Sequence, residues 1–341
     1  GDHRDLHSFP TRRSSDLNAI LVIDSLDELP SEEFDIFVEF IKKTKQIYPH
    51  LQIVLTVTPI YFGELLPLGF TPLFLSSWSN PQIIDFYSNW NKLWKKEIIN
   101  NIDISDDSSE ILVLNWASTN LRPLIPIEYT LHIWGALSGD LFGLSVYDLY
   151  TTYTKRILPT KETYDAAVSV AYELIQNQKS YVNTLDSKPA GFNNLFQSEI
   201  IQTSSNGNRT FLHSELIGFF ASLYPDKESP AEIHPKDLQW PPNFAYLGFT
   251  SSQDPECDWL TRFISQEEFN FPFNLFSIGQ WLKLSHKNLN WKTNYIKQLV
   301  KIIQNGNEKY PTRLRAIGTL VLSNDNNLST YFRQLLSNTN D

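Results

Sequence analysis

Apolar residues recur with two different periods along the chain, and the change from one to the other divides it. Ala19–Ile23 is an unbroken aliphatic run, the pattern of a parallel strand covered on both faces. Ser31–Tyr48 comes next with a helical period. Ser31 stands as N-cap, Glu32 and Glu33 fall in the first turn, and Phe34, Phe37, Phe40 and Ile41 share one face. Leu51–Val57 is a second aliphatic run, closed by Thr58-Pro59. A strand, helix and strand of these lengths predict a right-handed βαβ crossover. Leu73–Leu75 adds a short apolar stretch. Asn80–Trp94 then predicts a helix with Asn80 as cap and Pro81 at its first position.

Beyond the polar and acidic loop Asn100–Glu110 the strand pattern thins out and helical periodicity takes over. It covers Ile111–Trp116, Pro123–Leu137, Val146–Leu158 and Tyr164–Gln176. Leu195–Leu223 reads as a compact unit, with a helix-like LFQSEIIQ, a turn at Asn206-Gly207 and a helical FLHSELIGFFASLY. Asn-Gly between apolar segments suits a tight hairpin of the kind used as the wing of a winged helix. A proline-rich connector, Glu228–Pro242, marks the next boundary. The last third is helical. Trp291–Gln304 carries Tyr295, Ile296, Leu299, Val300 and Ile303 on one side. Thr312–Leu322 and Asn327–Leu336 pair around Asp325, with Leu314, Ile317 and Val321 facing Leu328, Phe332 and Leu335. That pair resembles one hairpin of a HEAT-type repeat, a pattern that any αα-hairpin shares.

Residues 1–17, GDHRDLHSFPTRRSSDL, match codon for codon the translation of a short-read sequencing adapter, and the chain has no methionine. Such a segment is set aside from fold reasoning, so His3, Arg4, His7, Arg12 and Arg13 carry no functional weight. The expectation is that native sequence begins before Asn18 and that its N-terminal part is missing. The remaining organisation is then 18–100 as an α/β core, 101–160 as a helical domain, 161–227 as a winged-helix-like domain and 228–341 as a helical region. The fold class expected is α/β followed by all-α.

Charge and cysteine content narrow the partners. A formal net charge of −10 over 341 residues disfavours general electrostatic binding to nucleic acid or to an anionic membrane. A single cysteine, Cys257, excludes an internal disulfide and a cysteine-based zinc site, in keeping with a reducing cytoplasm. No apolar run approaches the roughly 20 residues of a membrane helix.

Chemistry is concentrated in Asn18–Pro30, NAILVIDSLDELP. In open α/β sheets ligands bind at the carboxyl ends of strands, and Asp24 sits where the first strand ends. A carboxylate there can hold Mg²⁺, while Asp27 and Glu28, within one turn of it, can orient or deprotonate a water aimed at a phosphate. The same residues also fit a plain strand followed by a helix whose first turn is acidic to suit the helix dipole. Ser214, His213 and Glu215 form no hydrolase triad, because neighbours in a helix project to different faces.

Taken in order, these segments resemble the C-terminal part of a NACHT-type signalling NTPase, a branch of the STAND class of P-loop NTPases. The family writes its Walker B element as an apolar strand, Asp, a small residue, an apolar residue and Asp-Glu, here Asp24, Ser25, Leu26, Asp27 and Glu28. The resemblance implies Mg²⁺ at Asp24 and water orientation by Asp27 or Glu28. Thr56, Val57, Thr58 and Pro59 resemble the family's sensor at the end of the next strand, which places Thr58 near nucleotide. Leu75–Trp90 is similar to its leucine-serine turn and tryptophan-ended helix. A proline near the adenine is implied, either Pro123 or Pro126 of NLRPLIPIEY. TFLHSELIGFFASLY resembles the Phe-x-His motif, which implies that His213 senses the β-phosphate of ADP. The likeness covers about Asn18–Tyr224.

Two departures accompany it: Thr58 replaces the sensor arginine, and the chain holds neither GxxxxGK[ST] nor any Gly-Lys pair. The chain alone is therefore expected to bind ATP poorly or not at all. The resemblance implies an ATP/ADP-controlled switch with Mg²⁺, a ligand on the C-terminal helices and homo-oligomerisation on activation, of the kind used in bacterial defence or regulation. Two alternatives stand beside it, a non-enzymatic helical-repeat scaffold and a different P-loop ATPase.

Overall fold

The computed structural model describes residues 19–24, 26, 29, 31–57, 62–98, 124–140, 145–184, 188–204, 207–225, 238, 240–265, 273–284, 289–322 and 328–338. The described chain is mostly helical, with a small parallel sheet near its N-terminal end.

Strands β1 (Ile20–Ile23) and β2 (Gln52–Leu55) pair in parallel, Ile20 against Gln52 and Ile23 against Leu55, on either side of helix α1 (Ser31–Ile47). Alternation decides what this sheet buries. Ile23 and Leu55 pack with Phe34 of α1, Leu26, and Leu65 of the short helix α2 (Phe62–Leu65). Their neighbours point the other way, and Ile20 and Val22 are each 65% exposed and Val54 50%. The expectation of a strand covered on both faces is therefore corrected, because among the described residues only one face of β1 and β2 has a partner. Phe40 is likewise exposed rather than part of the α1 face, while Phe34 and Ile41 are buried.

Leu73–Leu75 forms no regular element and lies exposed. Helix α3 (Asn80–Glu97) starts one residue earlier than its proline suggests, because Ser79 is its cap: the Ser79 amide donates to Gln82 Oε1 at 2.8 Å. Helix α4 (Pro126–Leu137) begins with proline at its first position, where a missing N–H costs nothing. The expected helix Ile111–Trp116 lies outside the described residues.

The main core is built by α5 (Val146–Ile157), α6 (Lys161–Gln176), the short α7 (Phe192–Gln197) and α8 (Ser214–Ser222). A reciprocal capping box fixes the start of α5. Asp148 N donates to Ser145 Oγ at 3.2 Å, and Ser145 N to Asp148 Oδ2 at 3.3 Å. Between α7 and α8, β3 (Ile201–Thr203) and β4 (Arg209–Phe211) form an antiparallel hairpin, Ile201 opposite Phe211. The helix-like reading of LFQSEIIQ is thus half right. The helix ends at Gln197, and the buried pair Ile200-Ile201 leads into the strand, as β-branched residues favour. Gly207 holds φ +84 in the hairpin turn, a conformation glycine adopts without penalty.

The end of the predicted connector is helix α9 (Pro241–Gln253), which packs closely on α8. Then come α10 (Asp258–Ser265), α11 (Phe273–Ile278), a 3₁₀ turn at Gly279–Lys283, α12 (Asn290–Gln304), α13 (Tyr310–Leu322) and α14 (Leu328–Asn338). Helix α12 buries Trp291, Tyr295, Leu299 and Ile303. Trp291 Nε1 donates to Ser251 O at 3.1 Å and Tyr295 OH to Leu275 O at 2.7 Å, so both large side chains meet the core without a stranded polar atom. Helix α13 turns a different stripe inward than expected: Ala316 and Leu320 are buried, whereas Leu314 and Val321 are exposed. No described helix is long and apolar enough to cross a membrane.

Candidate functional site

Parallel pairing sets the ends of β1 and β2 side by side, and the residues just past those ends are Asp24 and Thr56. Thr56 holds the end of β1 and the turn after it through both its backbone and its side chain. Its amide donates to Ile23 O at 3.0 Å, its carbonyl accepts from Leu26 N at 3.4 Å, and its hydroxyl donates to Asp24 Oδ1. Asp24 is exposed while Leu26, two residues on, is buried beneath it. The chain therefore leaves β1 with a carboxylate directed away from the core and oriented by its neighbour's hydroxyl. A hydrogen bond to a charged acceptor strengthens this orientation.

Sequence alone singles out Asp24 but gives Thr56 no site role. A signal for it exists, since Thr56 opens the sensor-like Thr-Val-Thr-Pro run. The register that sets it beside Asp24 is visible only in the fold.

Asp27, Glu28, Thr58 and Pro123 lie outside the described residues. Pro126 is exposed at the first position of α4, beside Ile125, whose amide donates to Glu128 Oε2 at 3.1 Å. His213 is exposed and is the N-cap residue of α8; its carbonyl accepts from Leu216 N at 3.1 Å, and its side chain makes no capping bond. The three described candidates rest on different packed clusters. Asp24 adjoins the β1–α1 cluster, Pro126 lies between Leu124 and Tyr129 of a second, and His213 lies between Phe211 and Leu216 of the main core.

Mg²⁺ binds through one or two carboxylates together with phosphate oxygens and water. An exposed carboxylate with Oδ1 fixed by Thr56 matches such a one-sided site. Among the described residues no group of three or more His, Cys, Asp and Glu side chains forms a complete metal cage, and this chemistry needs none. No family model matches the chain, and neither does any curated protein.

Proposed function

We propose that this chain is part of a NACHT-type, nucleotide-controlled signalling switch and contributes its Walker B side. The observation that carries the reading is the juxtaposition of Asp24 and Thr56 at the carboxyl ends of two adjacent parallel strands, the edge at which open α/β sheets receive ligands. In this reading Asp24 holds Mg²⁺, which supplies charge neutralisation at the phosphates of ATP. Thr56 keeps the carboxylate turned toward that edge, and Asp27 or Glu28 orients water. Pro123 or Pro126 flanks the base and His213 meets the phosphate of ADP. Exchange of ADP for ATP, together with a ligand on the C-terminal helices, shifts the population from a closed to an open, self-associating state. The family likeness and the Asp24–Thr56 arrangement support this; the absence of Gly-Lys in the chain requires the phosphate-cradling lysine to come from sequence ahead of Asn18.

Long-read sequencing of the source DNA across the Leu17/Asn18 junction is the first test. The expected result is an upstream frame encoding a strand, GxxxxGK[ST] and a helix. In protein expressed from that frame, Asp24→Asn is expected to lower ATP turnover at least tenfold and to weaken the Mg²⁺ dependence of nucleotide binding. A frame without a P-loop, or unchanged turnover and Mg²⁺ dependence in Asp24→Asn, sinks the switch. Either result would favour the helical scaffold, which the exposed stripe Tyr310, Leu314 and Val321 of α13 independently supports.

A further inference from the structure

Helices α5 and α6 leave between them a groove of about 630 Å³, closed at one side by Leu223–Pro225 after α8, well within the size of small-molecule sites. Each helix contributes one stripe at helical spacing. Tyr147, Thr151 and Lys155 lie four residues apart on α5, and Lys161, Asp165 and Ser169 repeat the spacing on α6. Only Leu158–Thr160 separate the two helices, so Lys155 and Lys161 gather at the same end. Lys161 is the first residue of α6, where the helix dipole favours an anion and disfavours a cation. Neither lysine is engaged in an ion pair among the described residues. The result is two lysines at the joined ends of the two helices, with Asp165, one turn from Lys161, as the acid of the same groove.

Three tyrosines also line the groove, and each packs against a neighbouring aromatic ring. Tyr164 meets Phe220 edge-on at 5.5 Å, Tyr147 packs on Phe219 at 5.7 Å, and Tyr224 stacks on Tyr172 at 4.1 Å. Tyr164 follows Lys161 by three residues, about 4.5 Å along α6, and Tyr147 precedes Lys155 by eight, about 12 Å along α5. A tyrosine hydroxyl is protonated at neutral pH and can donate a hydrogen bond, and burial raises the pKa of Tyr147 and Tyr164 further. Asp165 lines the groove beside Tyr164 and opposes a second negative charge there.

From this arrangement we infer that the α5–α6 groove is a binding site for a small aryl anion. Its single phosphate or carboxylate head lies between Lys155 and Lys161, and its ring lies against Tyr147, Tyr164 and Tyr224. The site is distinct from the Asp24 edge and does not depend on the nucleotide reading.

The test is calorimetric titration of the full chain with 2-naphthyl phosphate, inorganic phosphate and 2-naphthol at low ionic strength. Saturable binding of 2-naphthyl phosphate is expected, at least tenfold tighter than either comparator, because head and ring are recognised together. Lys155→Glu and Lys161→Glu are each expected to weaken it at least tenfold with an unchanged far-ultraviolet circular dichroism spectrum, since both side chains are exposed. Lys297→Glu, on the exposed side of α12, leaves it unchanged. Should inorganic phosphate bind as tightly as the aryl phosphate, or naphthyl phosphate fail to bind saturably, the inferred site is wrong. It is equally overturned if both lysine variants bind like the parent chain.

Discussion

His132 shows how far burial alone can move a residue's chemistry. It lies on α4 at 5% exposure, and desolvation drives its pKa down to about 3, because burial strips the charged imidazolium of its hydration. Between about pH 3 and the ordinary histidine value near 6.5, the unfolded chain binds a proton that the native chain refuses, so stability falls as pH drops through this window. From pH 7 to pH 5 the loss attributable to His132 is about 2 kcal/mol. Urea unfolding followed by tryptophan fluorescence should show His132→Leu losing about that much less than the parent chain over the same interval. Equal pH slopes for the two proteins would show that His132 is already proton-accessible in the native state.

Among elements, the pair α8–α9 depends on one missing side chain. A Cβ placed on Gly218 would lie 2.5 Å from both Ala245 Cβ and Tyr246 N, so the two helices approach as closely as they do only because Gly218 has none. Gly218→Ala is expected to destabilise the chain by about 1–3 kcal/mol through overpacking, despite the higher helix propensity of alanine; a shift in the urea midpoint measures it. This contact also shows where sequence is legible. The period of FLHSELIGFFASLY announces α8, as the aliphatic runs announce β1 and β2, since one amphipathic face suffices to define each. Helix α9 is hidden because its prolines, Pro241 and Pro242, look like a connector, although Pro241 merely starts the helix. Nor can the strand runs disclose that their outer face lacks a partner among the described residues, or that Thr56 reaches Asp24. Both depend on pairing register and on neighbours far along the chain, which local periodicity does not encode. For the same reason periodicity picks the wrong side of α13. Leu314 and Val321 are as apolar as Leu320, and the positions of α12 and of the 3₁₀ turn at Gly279–Lys283, which both pack on α13, decide which of them is inward.

At the scale of the whole molecule, one ion pair joins distant segments. Glu128 on α4 is only 2% exposed at its side chain, and its Oε1 meets Lys283 Nζ of the 3₁₀ turn at 2.5 Å. Close by, Tyr147 N at the start of α5 donates to Leu284 O at 3.3 Å. The helices that come after the α/β segment are thereby tied to the C-terminal helical region more than a hundred residues onward. Glu128 has a second task, since its Oε2 accepts from Ile125 N and caps α4. Removing either partner therefore has unequal consequences. Lys283→Met strands a buried carboxylate, and the cost of an unpaired buried charge is about 3–5 kcal/mol. Glu128→Gln keeps a capping acceptor and leaves behind a lysine with 23% of its side chain exposed, which can turn to solvent at smaller cost. The double variant Glu128→Gln/Lys283→Met is expected to be more stable than Lys283→Met alone, because the orphaned charge is gone. Denaturant unfolding of the four proteins closes a double-mutant cycle. Additive losses would mean that the pair contributes no coupling and that α4 and the C-terminal helices are held together by apolar packing alone.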